Sequence, residues 1–314
     1  MSIAYLFPGQ GSQAPGMLHD LPKHPIITEK IEEASMVLGE DALTLDTNEA
    51  LSSSTRAVQL SLLIHEVAAA SLLKSKGAVA DMVGGHSIGA FAAAVVCGSL
   101  RFSDAVAVVE LRGRLMEEAY PSGFGMGVII GLDERHLTLL ITKINTENNP
   151  VYIANLNAQD QITIAGSISA VEQVFILARS IGAYKTKLLD VSVPSHCRLL
   201  SSVSNELTKE LKSVKLKDSN IPYIGNCRAR VLRKAEEIRN DLSEGVANPV
   251  RWHEGTTLMF ERGTRLFVEI GPGDTLTNLA RKGFPDSRCI SAMNSGLDSA
   301  MLLITREREK CNNG

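Results

Sequence analysis

The chain is short of aromatic residues and of net charge, and each shortage excludes a class of function. Aromatic side chains make up 4% of the 314 residues, which leaves few platforms for stacked nucleic-acid bases. The formal net charge is −3, so neither nucleic acid nor an acidic membrane surface is an expected partner. The remaining composition, with 44% hydrophobic and 21% charged residues, is typical of an ordinary globular protein.

Cysteine is also scarce, and long apolar runs are missing. The five cysteines are scattered and include no Cys-x-x-Cys pair, so we expect neither a disulfide framework nor a metal site. No apolar run approaches the ~20 residues that cross a bilayer. The apolar stretch at the N-terminus stops at Pro8, like a strand rather than a signal peptide. These features predict a cytoplasmic protein with reduced thiols and no membrane partner.

The most informative stretch is Gly-x-Ser-x-Gly at residues 85–89, which is centred on Ser87. An apolar run precedes it and a small-residue helical pattern follows it, which predicts a strand, a sharp turn and a helix. The two glycines allow a tight turn that exposes the hydroxyl of Ser87, as in α/β-hydrolases. The alternative, an incidental serine in a glycine-rich turn, is less favoured because the strand and helix signals are both present.

A second glycine-rich turn, at residues 8–13, follows the first predicted strand. It lacks the lysine of a phosphate-binding loop and the Gly-x-Gly-x-x-Gly of a dinucleotide site. The carboxyl ends of parallel strands share one sheet edge, where α/β proteins bind their ligands. We therefore expect the backbone N–H groups of Gln10 and Ile88 to form an oxyanion hole beside Ser87.

Arg112 lies on the apolar stripe of a predicted helix over residues 103–120. A guanidinium on a core-facing side is costly unless it pairs with an anion, which it can hold through two parallel hydrogen bonds. Either an internal salt bridge or an anionic substrate near Ser87 accounts for it. Gln59, on the apolar helix predicted over residues 55–74, is either a structural amide or a pocket group.

Residues 123–189 show the order β-α-β-β-α-β, which predicts a small ferredoxin-like α+β subdomain. It is inserted into a large, hydrolase-like α/β subdomain with a parallel sheet, formed by residues 1–122 and 190–314. Asn155 and Asn157 share one face of a predicted strand there. They either line the cleft between the subdomains or serve ordinary turn chemistry.

A candidate base for Ser87 follows this insertion. Ser195 is a plausible N-cap, which places His196 in the first turn of a helix that continues to Leu207. The positive end of a helix disfavours an imidazolium. We therefore expect His196 to be neutral and able to accept the proton of Ser87.

Taken together, these residues resemble the malonyl-CoA:acyl carrier protein transacylase family. The matching motifs occur in the family's order over nearly the whole chain, and they are specific as a set. They are Phe-Pro-Gly-Gln-Gly-Ser-Gln at 7–13, Gly-His-Ser-Ile-Gly at 85–89, Leu-Arg-Gly-Arg-Leu-Met at 111–116, Val-Pro-Ser-His-Cys at 193–197, Asn-Pro-Val-Arg-Trp at 248–252 and Glu-Ile-Gly-Pro-Gly at 269–273.

The resemblance implies a role for each matching residue. Ser87 would be the nucleophile and His196 its base, and the backbones of Gln10 and Ile88 would form the oxyanion hole. Arg112 would bind the free carboxylate of malonate, and three further residues would line the substrate pocket. These pocket residues are Gln59, Met116 and Asn157.

Two departures from the family pattern point to one branch of the family. The glutamate usual after the second glycine of the turn is Ala90 here, and Gly245 stands where a glutamine carbonyl usually orients the histidine. With the segments at 17–22, 54–60 and 154–158, they resemble the epsilon subunit of malonate decarboxylase. That resemblance implies malonyl-CoA as substrate, the decarboxylase's acyl carrier subunit as partner, and no bound cofactor.

Three alternatives remain open at this point. The acceptor could instead be the acyl carrier protein of fatty-acid or polyketide synthesis. A serine thioesterase or hydrolase would use the same turn, although no acidic residue stands out between Ser87 and His196 in the order that fold expects. A catalytically inactive subunit that only docks a carrier is the third.

Overall fold

The computed structural model describes residues 2–120, 122–191 and 193–312, and these form ten strands and twelve α-helices. The N-terminal part of the large subdomain contains β1 (Ser2–Phe7), α1 (Pro25–Leu38), α2 (Asn48–Ser53), α3 (Thr55–Ser75), β2 (Met82–Gly85), α4 (Gly89–Val96) and α5 (Phe102–Ala119). The segment that follows contains β3 (Phe124–Ile130), α6 (Glu134–Ile144), β4 (Val151–Ala158), β5 (Gln161–Ser167), α7 (Ile168–Ser180) and β6 (Lys185–Leu188). The C-terminal part contains α8 (Ser201–Ser213), β7 (Tyr223–Ile224), β8 (Val231–Leu232), α9 (Ala235–Glu244), α10 (Trp252–Glu261), β9 (Thr264–Glu269), α11 (Thr275–Gly283), β10 (Arg288–Ser291) and α12 (Leu297–Asn312).

The large subdomain is built on a six-stranded sheet in the order β10-β9-β1-β2-β7-β8. All neighbouring pairs are parallel except the β7–β8 pair at one edge. Phe7 at the end of β1 pairs with Gly85 at the end of β2. Because these strands end side by side, the two glycine-rich turns that follow them lie next to each other at the carboxyl edge of the sheet.

The small subdomain has a four-stranded antiparallel sheet in the order β4-β5-β3-β6, with α6 and α7 between its strands. Its own apolar core includes Ile129, Leu137, Ile164 and Val174, all fully buried. This is the ferredoxin-like pattern that the sequence predicts. The predicted fold class, a parallel α/β subdomain with an inserted α+β subdomain, is confirmed.

One backbone segment ties the two subdomains together. Val250, just before α10, donates its N–H to the carbonyl of Ala154 at 2.9 Å and accepts a hydrogen bond from the N–H of Leu156 at 2.8 Å. These bonds form a parallel bridge between Val250 and Asn155 of β4. The cleft above the carboxyl edge of the large sheet therefore has one wall from each subdomain.

The helix α3 is the apolar centre of the large subdomain. It is long and apolar enough to cross a membrane by composition, but 89% of its apolar stretch is buried inside the protein. It packs on α5, where a Cβ at Gly113 would lie 2.5 Å from the Cα of Arg56. Only glycine permits this close approach, which places the neighbouring Arg112 against Gln59.

Candidate active site

The turn that carries Ser87 is tight and depends on its two glycines. Ser87 has a left-handed backbone with φ of 56°, which is unfavourable for a residue with a side chain. A Cβ on Gly85 would lie 2.0 Å from the carbonyl carbon of Gly89, and a Cβ on Gly89 would lie 2.2 Å from the oxygen of Phe7. The Gly-x-Ser-x-Gly spacing is therefore a steric requirement of this strand-turn-helix.

His196 contacts the hydroxyl of Ser87 directly. Its Nε2 lies 2.7 Å from Ser87 Oγ, and its Nδ1 lies 2.6 Å from the carbonyl oxygen of Gly245. A carbonyl oxygen only accepts hydrogen bonds, so Nδ1 carries the proton of the neutral ring. Nε2 is then the unprotonated nitrogen, and it faces the proton of Ser87.

The local structure around His196 differs from the helix start predicted from the sequence. Ser195 is not an N-cap, because its hydroxyl donates to the carbonyl of Val193 at 3.4 Å. His196 has a φ of 64°, and only a short 3₁₀ turn at Arg198–Leu200 and then α8 follow it. The predicted helix-dipole effect on His196 was therefore wrong.

Burial and a neighbouring cation keep His196 neutral instead. Burial, followed by the positive charge of Arg112, lowers the pKa of His196 to about 3. The hydrogen bond to Gly245 acts in the opposite direction but does not offset them. The imidazole is therefore an unprotonated base at neutral pH, as predicted.

Arg112 lies in the site with no carboxylate partner. It is 2% exposed, its Nη1 donates to Gln59 Oε1 at 2.5 Å, and its Nη2 donates to Ser87 Oγ at 3.3 Å. No acidic side chain of the described residues pairs with it, which removes the internal salt bridge as an alternative. Burial lowers the pKa of Arg112 to about 10, so it remains a cation at neutral pH and would be stabilised by an anionic ligand.

Gln59 and Met116 complete the environment of this cation. The Nε2 of Gln59 donates to the sulfur of Met116 at 3.4 Å, so the amide oxygen faces Arg112. Both side chains line the cavity above Ser87. Of the two interpretations of Gln59, the structure supports a pocket group.

The two predicted oxyanion donors also lie at this cavity. Gln10 and Ile88 both line it, on either side of Ser87. Within the described part of the chain, neither backbone N–H has a hydrogen-bond partner. Two free N–H groups at the ends of neighbouring strands can stabilise an oxyanion that forms on a carbonyl attacked by Ser87.

Asn157 does not lie in the substrate pocket, where the family resemblance places it, but beside His86. Its Oδ1 is 3.0 Å from His86 Nε2, and it does not line the cavity. Asn155 lines the cavity instead, and both asparagines contact His86 Nε2 from the same strand, whose pairing with β5 shifts register between Ile153 and Asn155 and again before Ala158. His86 also borders the cavity, and its ring makes a T-shaped contact with that of Trp252 at 5.5 Å between centroids.

Two further residues hold the site but were missed by the sequence analysis. Asn226 bonds to the backbone of the Ser87 turn, and Asp241 bonds to the backbone of Asn226. The available signal was an apolar run ending in Gly-Asn at residues 225–226, the same kind of strand end that precedes Ser87. Among the described residues, no group of three or more histidine, cysteine, aspartate or glutamate side chains is placed to hold a metal ion.

Comparison with known families and proteins finds matches over nearly the whole chain. A family model described as the acyl transferase domain matches residues 4–310. The chain is 36% identical over 297 residues to the malonyl CoA-acyl carrier protein transacylase of Escherichia coli K12, covering 93% of this chain and 96% of that protein. It is 36% identical over 284 residues to the enzyme of the same name from Bacillus subtilis, covering 89% and 90%.

Solved structures give the same result at the level of the fold. The malonyl CoA-acyl carrier protein transacylase of Coxiella burnetii superimposes with a TM-score of 0.88 at 35% identity, covering 92% of each chain. A structure of a type II polyketide acyl-carrier protein in complex with its malonyl-transacylase matches with a TM-score of 0.87 at 35% identity, covering 92% of this chain and 94% of that one.

Proposed function

Since the chain belongs to the malonyl-CoA:acyl carrier protein transacylase family, we propose that it moves a malonyl group from malonyl-CoA to the thiol of an acyl carrier protein through an ester on Ser87. One observation carries the proposal: the buried Arg112, which has no carboxylate partner among the described residues, lies 3.3 Å from the hydroxyl of Ser87, which His196 contacts at 2.7 Å. A short acyl group that ends in a carboxylate supplies both the carbonyl that Ser87 attacks and the anion that Arg112 lacks.

In the first half of the reaction, Ser87 is acylated. The malonyl carboxylate binds Arg112, and the thioester oxygen points to the N–H groups of Gln10 and Ile88. Nε2 of His196 takes the proton of Ser87 as Oγ bonds to the thioester carbon, and the oxyanion is stabilised by the two N–H groups. The C–S bond then breaks, and His196 returns the proton to the leaving CoA thiolate.

The second half repeats these steps with a new nucleophile. The carrier's thiol enters the cleft, His196 takes its proton, and the thiolate attacks the malonyl-Ser87 ester. The Ser87 oxygen leaves and recovers the proton from His196. The overall reaction exchanges one thioester for another, so we propose that it needs no bound cofactor.

The surroundings of His196 favour transfer over hydrolysis by a Ser-His-Asp triad. Its Nδ1 is held by the backbone carbonyl of Gly245, where a triad hydrolase would place a carboxylate. The carboxylate that stabilises the imidazolium in a triad is therefore replaced here, and water, a weaker acid than the carrier's thiol, depends more on that stabilisation. A malonyl-Ser87 ester should persist long enough for the carrier thiol to arrive.

The test is to mix the protein with malonyl-CoA and to follow both CoA thiol release and the intact protein mass. We expect one malonyl group on Ser87, no adduct in Ser87→Ala, and transfer when a carrier with its prosthetic thiol is added. Steady release of free malonate without carrier would favour a hydrolase. No adduct at all would identify a subunit that only docks the carrier.

We further propose that the acceptor is the acyl carrier subunit of malonate decarboxylase, for which this chain would be the epsilon subunit. Ala90, Gly245 and the segments at 17–22, 54–60 and 154–158 support this branch. The short residues at 90 and 245 both border the space behind Ser87 and His196. Since Gly245 acts through its carbonyl, the missing glutamine side chain does not remove the hydrogen bond to His196.

A direct comparison of acceptors tests this finer assignment. Malonyl transfer is measured to a malonate decarboxylase carrier bearing its phosphoribosyl-dephospho-CoA group and to a fatty-acid carrier bearing phosphopantetheine. We expect a higher kcat/KM for the decarboxylase carrier. A preference for the fatty-acid carrier would assign the chain to fatty-acid or polyketide synthesis instead.

A further inference from the structure

The side chain of Asn226 holds the backbone of the nucleophile turn immediately before the Cα of Ser87. Its Oδ1 accepts a hydrogen bond from the N–H of Ser87 at 3.1 Å, and its Nδ2 donates one to the carbonyl of Gly85 at 2.8 Å. The residue is only 6% exposed. A left-handed non-glycine residue keeps its conformation only where its surroundings hold it. The two bonds from Asn226 do this on the far side from the substrate.

Asp241, on α9, holds Asn226 in turn. Its Oδ2 accepts hydrogen bonds from the N–H of Asn226 at 3.0 Å and from the hydroxyl of Tyr223 at 2.8 Å. Its Oδ1 accepts a third from the N–H of Cys227 at 3.0 Å. This buried carboxylate therefore fixes the loop that follows β7, and with it the direction of the Asn226 side chain.

The same helix also positions His196. The backbone carbonyl of Asp241 accepts a hydrogen bond from the N–H of Gly245 at 2.9 Å at the end of α9. Gly245 then accepts from Nδ1 of His196, and the carbonyl of Val246 accepts from the N–H of His196 at 2.8 Å. Asp241 therefore contacts both halves of the site. Its backbone bonds to Gly245, which holds His196, and its side chain bonds to Asn226, which holds the turn of Ser87.

We propose that Asn226 and Asp241 are positioning residues that together set the hydrogen bond between Ser87 and His196. Neither side chain touches the reacting atoms: Asn226 acts through the backbone of the turn, and Asp241 acts through Asn226 and α9. In a triad hydrolase a carboxylate contacts the histidine directly. Here the Asp241 carboxylate contacts the backbone of Asn226 instead, and a backbone carbonyl contacts His196. The inference rests on the proposed function, because it concerns the acylation of Ser87.

The experiment measures a single turnover of CoA thiol release with malonyl-CoA in Asn226→Ala, Asp241→Asn and the double variant. The burst amplitude reports how many molecules can be acylated, and the rate constant reports how well Ser87 and His196 are aligned. A displacement of about 1 Å typically costs about 10²-fold in rate. We expect Asn226→Ala to lower the rate constant by about that factor, with a full amplitude per folded molecule and a KM within about threefold of the unmutated protein.

Asp46→Asn is the matched control. Asp46 is also buried, at 1% exposure against 8% for Asp241, accepts a backbone hydrogen bond from Leu18 at 2.7 Å and pairs with His19 at 3.1 Å, but it contacts none of the site residues described above. We expect it to lower the melting temperature about as much as Asp241→Asn while leaving the rate constant unchanged. Asp241→Asn should slow acylation about tenfold alone and by less in the Asn226→Ala background, since both act on one alignment.

The outcomes separate this inference from the proposed function. If the unmutated protein releases no burst of CoA thiol, the proposed function fails. If it does so and Asn226→Ala acylates at an unchanged rate, or loses amplitude with stability as Asp46→Asn does, the positioning role is wrong. Fully multiplicative losses in the double variant would also refute a shared role.

Discussion

Replacing Arg112 with alanine is the most direct test of the substrate. The guanidinium is buried among Gln59, Met116 and Ser87, with no carboxylate partner among the described residues. Arg112→Ala should therefore remove the group that distinguishes a malonyl from an acetyl chain, while leaving Ser87 and His196 in place.

The expected magnitude follows from the cost of the buried charge. Burial lowers the pKa of Arg112 from 12.5 to about 10, which corresponds to about 3 kcal/mol of destabilisation of the cation. A bound carboxylate can recover about this amount, which is about 10²-fold in kcat/KM. We therefore expect Arg112→Ala to lower malonyl transfer by about 10²-fold or more. Acetyl transfer should be retained, because acetyl leaves the cation unpaired in any case.

The assay is CoA thiol release with malonyl-CoA and with acetyl-CoA, together with the mass of the acylated carrier. Arg114→Ala is the matched control, because Arg114 lies on the same helix but is exposed and paired with Glu118 at 3.4 Å. It should affect neither substrate. Malonyl transfer that survives unchanged in Arg112→Ala would refute the assignment of this cation to the substrate carboxylate.

Three further predictions concern pH, a buried acid and a helix contact. Burial and, after it, the charge of Arg112 lower the pKa of His196 from 6.5 to about 3. Between about pH 4 and about pH 8, kcat/KM for acetyl-CoA should therefore show no acid limb near 6.5 in the unmutated protein, and in Arg112→Ala any acid limb should move to higher pH. A limb near 6.5 in the unmutated protein would mean that His196 is not a base of lowered pKa. Glu66 is fully buried with both carboxyl oxygens unpartnered among the described residues, and burial, with Glu269 nearby, raises its pKa well above 4.5. The folded protein therefore holds this proton to higher pH than the unfolded chain, so stability falls as pH rises above 4.5. Glu66→Gln should therefore gain stability over the unmutated protein in urea unfolding as the pH rises from about 5 to about 8, whereas the exposed Glu32→Gln should not. Gly113→Ala should lower stability by about 1–3 kcal/mol in thermal unfolding, because its Cβ would meet the backbone of Arg56; Gly283→Ala, with open space around it, is the control that should remain near the unmutated value.

Local signals were sufficient for most of the secondary structure. The helix over residues 55–74 and the β-α-β-β-α-β order of the small subdomain follow from hydrophobic periodicity, and the structure has both. The two-residue strands β7 and β8 carry too few residues for any periodic signal, so they were not predicted. The loop after β7, which carries Asn226, was missed with them.

The sequence by itself determined the chemical groups of the site. The glycines at 85 and 89 require a tight turn at Ser87, and Arg112 on an apolar stripe requires an anion, since both are local steric or energetic constraints. These constraints hold wherever the segments lie in space. The family motifs added the histidine and the expected substrate.

Only the tertiary structure decided how these groups are held and made reactive. His196 is neutral because the fold buries it beside Arg112 and not because it begins a helix. Asn155 lines the cavity and Asn157 does not, although both side chains contact His86. Asn226 contacts the backbone of Ser87, which lies 139 residues earlier in the chain. Asp241, on α9, acts on the same turn through its hydrogen bond with Asn226. Burial, register and long-range hydrogen bonds depend on how distant segments meet, and no local pattern in the chain encodes them.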